Sequence, residues 1–176
     1  RLSGAGSRVL VAYAIIVPRR LEMNSVKILH ITPHLGGGVG TVVLNWLKKE
    51  HEVNKGASHK IACLEENKNP MDEYVDLGMS IHGGMYRDIN LLMDWVSKSD
   101  IVLVHWWNHP TIFDLMVNTQ FPACRLIIWN HVSALSPTYI HSNKLIEYSD
   151  FFVFTSPVSY EAQEIVNLPD RLKQRL

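Results

Sequence analysis

Short apolar runs alternating with stretches of helical spacing constrain this chain more than any single motif. Val26–Thr32 (VKILHIT), His59–Leu64 (HKIACL), Ile101–Trp106 (IVLVHW), Arg125–Val132 (RLIIWNHV) and Phe151–Thr155 (FFVFT) read as strands, and Ser80–Gly83 as a short one. Between them, apolar residues recur every three to four positions. Val39, Val43, Trp46 and Leu47 share a face in a helix over Thr41–Glu50, and Met85, Ile89, Leu92 and Val96 do so over Met85–Lys98. Further helices are expected over Thr111–Asn118 and Pro137–Tyr148. Another starts at Ser156-Pro157, with a hydroxyl cap and a proline in the first turn, and Pro169 closes it. Runs such as IVLVHW have no polar alternation, as expected of strands covered on both faces. The pattern predicts an α/β fold: a Rossmann-like parallel sheet of about six strands with helices on both faces. The stretch Glu65–Met79 is polar and reads as a loop.

The 176 residues fit one domain, and 47% hydrophobic content suits a single packed core. Lys+Arg and Asp+Glu are both 17. That balance excludes nucleic-acid binding by bulk positive charge. Cys63 and Cys124 make no disulfide framework, so a reducing compartment and a cytoplasmic location are expected, with both thiols as small buried groups. Residues 1–22 read as a non-native or upstream extension, with Met23 the natural start and 23–176 the domain proper. An added edge strand over Val9–Val17 is the competing reading. No run reaches the roughly 18 apolar residues that a membrane span needs.

In open parallel sheets ligands bind beyond the C-terminal strand ends, near the switch in strand order. Three segments fall there. Pro33-His34-Leu35-Gly36-Gly37-Gly38-Val39-Gly40-Thr41 joins the first strand to the first helix. Its glycines let a ligand approach the backbone, and the helix start behind them offers N–H groups to an anion or a hydroxyl. Thr41 stands where a dinucleotide fingerprint wants its third glycine, and no Gly-Lys-Ser/Thr follows to make a P-loop. Trp129-Asn130-His131 ends another strand. His131 either bonds a sugar hydroxyl when neutral, stabilises a leaving phosphate when protonated, or is simply satisfied by Asn130 or backbone. His105-Trp106-Trp107-Asn108-His109-Pro110 ends a third. Its aromatic faces suit a sugar ring, or else the tryptophans cap the core. The nine histidines show no H-E-x-x-H pattern and there is no C-x-x-C, so no metal site is expected. Asp100 and Asp150 precede strands, at the face away from the crevice, and read as turn residues.

The segments VKILHITPHLGGGVGT, DIVLVHWW, RLIIWNHV and DFFVFTSPVS together resemble the opening domain of family 4 glycosyltransferases, over roughly Val26 to Val166. The resemblance implies a GT-B enzyme of two Rossmann-like halves. The N-terminal half holds the acceptor and the other half the nucleotide-sugar donor. Transfer would retain anomeric configuration without a catalytic metal or further cofactor. It also implies roles. His131 would contact the transferred sugar and assist phosphate departure. Gly36, Gly37, Gly38, Gly40, Thr41 and Asn130 would lie by the donor. His34, Trp106, Trp107, Asn108 and His109 would line the acceptor side. The family's donor signature, two glutamates separated by seven residues, belongs to the second half; Glu161 and Glu164 have the wrong spacing. This chain is therefore expected to be the acceptor-side half, without the C-terminal donor domain and inactive alone. A sugar or glycan acceptor, a peripheral membrane contact and a homodimer are the expected partners, and nucleic acid is not. The rival reading is a stand-alone nucleotide- or dinucleotide-binding module, favoured by Glu65 and Glu66 after the second strand, where an acid would grip a ribose.

Overall fold

A computed structural model describes residues 25–53, 56–66, 74, 76–133, 135 and 142–176; the readings for residues 1–22 and 137–141 lie outside them. Six strands form one sheet: β1 (Val26–Thr32), β2 (Ala57–Cys63), β3 (Ser80–His82), β4 (Ile101–Trp106), β5 (Leu126–Asn130) and β6 (Phe151–Phe154). Their order is β3-β2-β1-β4-β5-β6 and every pairing is parallel. This is the doubly wound order, and its switch point lies between β1 and β4. The α/β, Rossmann-like expectation is what the chain adopts.

Strand parity sorts the side chains onto two faces. On one, Leu29, Ile31, Val102, Val104, Ile128 and Phe152 are all buried. Each such side chain contributes about 1.5–3 kcal/mol of burial. They pack with helices α2 (Ile89–Ser97) and α3 (Pro110–Asn118) and with Ile146 of α4 (Asn143–Tyr148). The other face carries helix α1 (Gly37–Val53), whose Val43, Leu44 and Leu47 pack on Ile61 and Cys63 of β2. At the edge away from the crevice, two aspartates fix the register. Asp100 Oδ2 accepts the Lys27 N–H at 2.8 Å, and Asp150 Oδ2 accepts the Leu126 N–H at 2.7 Å. In return, the Asp100 and Asp150 N–H groups donate to the Lys27 and Leu126 carbonyls at 2.9 and 2.8 Å.

Several elements differ from expectation. Helix α1 begins at Gly37, so three of the glycines lie in its first turn and the loop shortens to Pro33–Gly36. The expected helix over Met85–Lys98 is broken: a 3-10 turn spans Met85–Arg87, and α2 starts after Asp88, whose side chain accepts the Leu91 N–H at 3.0 Å. That local cap outweighs continued apolar spacing. The last helix is broken as well. Ser156 makes no side-chain cap, Pro157–Glu161 is a 3-10 turn, and two short helices follow, α5 (Gln163–Val166) and α6 (Asp170–Lys173). Pro169 opens α6 rather than closing its predecessor.

Two glycines have different reasons to be glycine. A Cβ on buried Gly40 would sit 1.9 Å from the Leu35 carbonyl oxygen, whereas a Cβ on Gly38 would meet nothing within 4 Å. Gly40→Ala should therefore cost about 2–3 kcal/mol through overpacking. Gly38→Ala should add up to about 1 kcal/mol, because alanine favours the helix. Urea denaturation of the two variants checks this, and equal effects would contradict the packing argument.

Candidate functional site

Three strand exits meet at the switch point. Beyond β1, the Thr32 hydroxyl donates to the His34 carbonyl at 2.9 Å and the Gly36 N–H donates to His34 Nδ1 at 3.0 Å, which folds the loop tightly. Gly37 then takes φ +67°, a left-handed conformation that glycine alone adopts freely. Gly36, Gly37 and Gly38 are exposed, as is Thr41, whose hydroxyl turns back to the Gly37 carbonyl at 3.3 Å. No carboxylate occupies the first turn of α1, so its free N–H groups and partial positive charge face outward.

Beyond β4, His109 caps α3, its Nδ1 accepting the Thr111 N–H at 3.3 Å. Half-buried Trp107 and exposed Asn108 precede it. Rings knit the exits together. His34 meets Trp107 edge-on with centroids 5.7 Å apart and His109 at 5.4 Å, while Trp107 meets His131 beyond β5 at 6.3 Å. The glycine turn, Trp107 and His131 thus share one rim at the C-terminal edge of the sheet.

Behind that rim runs a row of four histidines. His59 Nδ1 lies 2.9 Å from His30 Nε2, His30 Nδ1 lies 3.0 Å from His105 Nε2, and His105 Nδ1 lies 2.9 Å from His131 Nε2. The register explains the row. His59 pairs with Ile28, two residues below His30; Leu103, two below His105, pairs with His30; Trp129, two below His131, pairs with His105. The row therefore climbs one pleat per strand, a diagonal of about 7–8 Å that rings can span. Each contact joins one protonated and one bare nitrogen. A neutral ring that accepts at Nε2 must donate from Nδ1, so the neutral row has two states: every ring Nδ1–H or every ring Nε2–H.

Burial holds all four rings neutral. The His59 and His131 pKa values fall from 6.5 to about 4 by desolvation. Those of His30 and His105 fall well below 6.5, by desolvation first and then by repulsion from neighbouring histidines. His131 is thus neutral at pH 7, which removes the protonated role considered for it in the resting protein. The row itself went unseen in the sequence. Its signal was there: one histidine inside each of VKILHIT, HKIACL and IVLVHW, at the same parity as the inward residues.

Other expected site residues fall elsewhere. Trp106 is 3% exposed and packs in the core against Ile112 and Leu115, because strand parity turns it away from Trp107. Asn130 is fully buried and braces its own turn, donating to the Val132 carbonyl at 2.8 Å. Gly40 is buried under Leu35. None of the three presents a side chain or an open backbone to the rim. Cys63 is buried in the core with its thiol pushed up to about 12 by desolvation, which makes it no nucleophile. An open cavity of about 420 Å³ lies to one side, lined among others by Glu65, Glu66, Arg87, Thr111 and Asp114. Its acids are engaged: Glu65 accepts the Thr111 hydroxyl at 2.9 Å and Glu66 accepts Arg87 at 3.0 Å.

Among the described residues no group of His, Cys, Asp or Glu is arranged to hold a metal ion, and no helix is long and apolar enough to cross a membrane. Comparison of the chain with protein-family models, curated proteins and solved structures finds no match. Fold and geometry together define a Rossmann-like α/β domain whose β1, β4 and β5 exits meet at its switch point.

The lowered pKa values set a pH window. Unfolding frees the four imidazoles to bind protons that the native row refuses, so stability is lost as pH falls from about 6.5 towards 4. Each refused proton steepens the loss by about 1.4 kcal/mol per pH unit. Urea midpoints at about pH 7, 6 and 5 should fall progressively, and a flat profile would contradict neutral burial.

Proposed function

We infer that this chain is the acceptor-side half of a GT-B-type glycosyltransferase, working with a second Rossmann-like half that holds a nucleotide-sugar donor. One observation carries the reading: the ring contacts His34–Trp107–His131 bring the glycine turn, an aromatic face and an imidazole to one rim at the switch point. The parts suit the chemistry. The exposed N–H groups of Gly37 and Gly38 at the start of α1 offer the donor diphosphate a positive end without a metal. The Trp107 face accepts the apolar side of a sugar ring, with Asn108, His34 and His109 as hydrogen-bonding neighbours. Neutral His131 bonds a sugar hydroxyl. Gly38 strengthens the case: no packing demands a glycine there, so its lack of a side chain serves an approaching ligand. Retention of configuration and a cytoplasmic setting belong to the same proposal.

The second reading, a nucleotide- or dinucleotide-binding module, draws on Glu65 and Glu66 beside the cavity at the end of β2. Their existing bonds to Thr111 and Arg87 compete with a ribose, which favours the first reading.

A glycan panel titrated into the chain should shift the amide signals of Gly36–Gly38 and the Trp107 indole. Trp107→Ala should weaken that binding about tenfold, or about 1.4 kcal/mol. Gly38→Ala should weaken nucleotide-sugar binding in the paired enzyme while stabilising the fold. The chain by itself should turn over no nucleotide sugar. Thermal stabilisation by NAD alone, with no glycan response, would move the assignment to the second reading.

A further inference from the structure

The chain leaves β2 through Leu64, Glu65 and Glu66, and these residues form one side of the open cavity of about 420 Å³. The Gly84 N–H donates to the Glu65 carbonyl at 2.9 Å and the Tyr86 N–H to the Leu64 carbonyl at 3.0 Å, which seats the Met85–Arg87 turn as a second wall. The Tyr86 hydroxyl donates to Asp114 of α3, tying the third wall to that turn. Gly84 has φ +73°, and a Cβ there would stand 2.9 Å from Glu66 Oε1, so glycine leaves room for that carboxylate. The volume falls in the range of small-molecule sites, roughly 300–1,000 Å³. One imidazole separates this space from the rim. The His109 ring lies 5.8 Å from that of Trp107, centroid to centroid, and its Nε2 lies 3.5 Å from Glu65 Oε1.

The lining is rich in acceptors. Asp114 has both oxygens engaged, by the Tyr86 hydroxyl and the Asn118 amide. Thr111 and His109 both address Glu65 Oε1, and Arg87 addresses Glu66 Oε1. Among the described residues no bond holds Oε2 of either glutamate, and the Tyr86 oxygen can accept as well. Three carboxylates and one guanidinium line the space, so a guest there has to donate hydrogen bonds and carry no negative charge. We propose that the cavity beside Glu65 is a second acceptor subsite, taking a hydroxyl-rich unit without negative charge that is joined to the sugar resting on Trp107. The place of that first sugar rests on the function inferred above. A ribose gripped through both oxygens of one carboxylate would displace Thr111 or Arg87. A single hydroxyl on Oε2 displaces neither, and the next unit of a glycan brings several such hydroxyls past His109.

Amide NMR of the chain titrated with maltose, cellobiose, lactose and trehalose, and with glucose and galactose alone, tests this. The monosaccharides should shift the Gly36–Gly38 amides only. At least one disaccharide should shift the Thr111 and Gly84 amides as well and bind about tenfold tighter than its monosaccharide, as a hydrogen bond to a charged group allows. Glu65→Ala should bring that disaccharide down to the affinity of its monosaccharide, whose own binding stays unchanged; equal weakening of both would overturn the subsite. The same disaccharide oxidised to a uronic acid in its second unit should bind the wild-type chain no tighter than the monosaccharide. Undiminished binding of the acid would overturn the charge argument, and this comparison decides alone should Glu65→Ala fail to fold. Shifts at Thr111 and Gly84 without the glycine turn would detach the cavity from the rim and sink the proposal. Shifts at the glycine turn alone, from every sugar, would remove the subsite and leave the glycosyltransferase reading standing. No shift at either place would remove both.

Discussion

The pairing of β1 with β4 is the constraint on which the molecule's organisation depends. β1 is bonded to β2 on one side and to β4 on the other, so the chain leaves β1 towards one face of the sheet and returns to β4 from the opposite face. Right-handed crossovers allow no alternative for parallel strands. The connections therefore diverge above β1 and β4, and the space between them cannot be closed by either set of helices. The Asp100 and Asp150 braces at the far edge hold this arrangement in register. A slip of one residue would turn every histidine of the row to the opposite face. The meeting of the strand exits at the rim and the histidine row behind it thus follow from one set of backbone pairings.

The two faces of the sheet are built on different terms. On the face of α2 and α3 a single apolar cluster runs from β1 to β6. On the face of α1 the core is cut in two: Ile61, Cys63 and Leu35 lie to one side, and Val26, Ile28, Leu103 and Ile127 to the other. The histidine diagonal is the cut, and Trp46 touches both parts. Three buried imidazoles and a half-buried fourth, in place of aliphatic side chains, surrender apolar burial, and only their mutual hydrogen bonds make the exchange tolerable. Such a network is conditional: removing one ring leaves its neighbours' nitrogens unsatisfied, a loss of about 1–3 kcal/mol for each buried group. A core built for stability alone would use leucine or isoleucine at those positions.

The sequence made the strands legible because a strand buried on both faces has a signature that local chemistry cannot disguise. β1 and β4 have the bounds that their apolar runs suggest. Helices were less legible, because their ends depend on single contacts. Asp88 capping Leu91 split one apolar period in two, and Leu35 tucked beneath Gly40 drew the glycines into α1. At the rim, adjacent tryptophans shared one composition and had opposite fates. Trp106 continues the alternation of β4 into the core, while Trp107 steps out of the strand. Parity within IVLVHW already held that answer. Asn130 misled for a different reason: an amide beside a candidate histidine looks like a ligand group, yet a strand that ends in a turn needs its own brace. The histidine row was encoded as parity in three separate strands. It becomes one object only when the strand order is known, because His30 and His105 are 75 residues apart in the chain.

The same burial that silences the imidazoles as free bases gives the rim its polarity. A charged histidine beside the start of α1 would repel the helix's own positive end. A neutral row avoids that conflict, and every hydrogen bond between its rings can reverse in one concerted shift. The far end of the row lies against α1, where Glu50 Oε2 stands 3.4 Å from His59 Nε2, and the opposite terminus of that helix opens the glycine turn. Helix α1 therefore meets this region twice: its first turn at Gly37 and Gly38 borders the rim, and Glu50, three turns later, stands against the far end of the row. A substitution that shifts α1 along its axis would disturb the glycine turn and the far end of the row together, because one rigid element carries both.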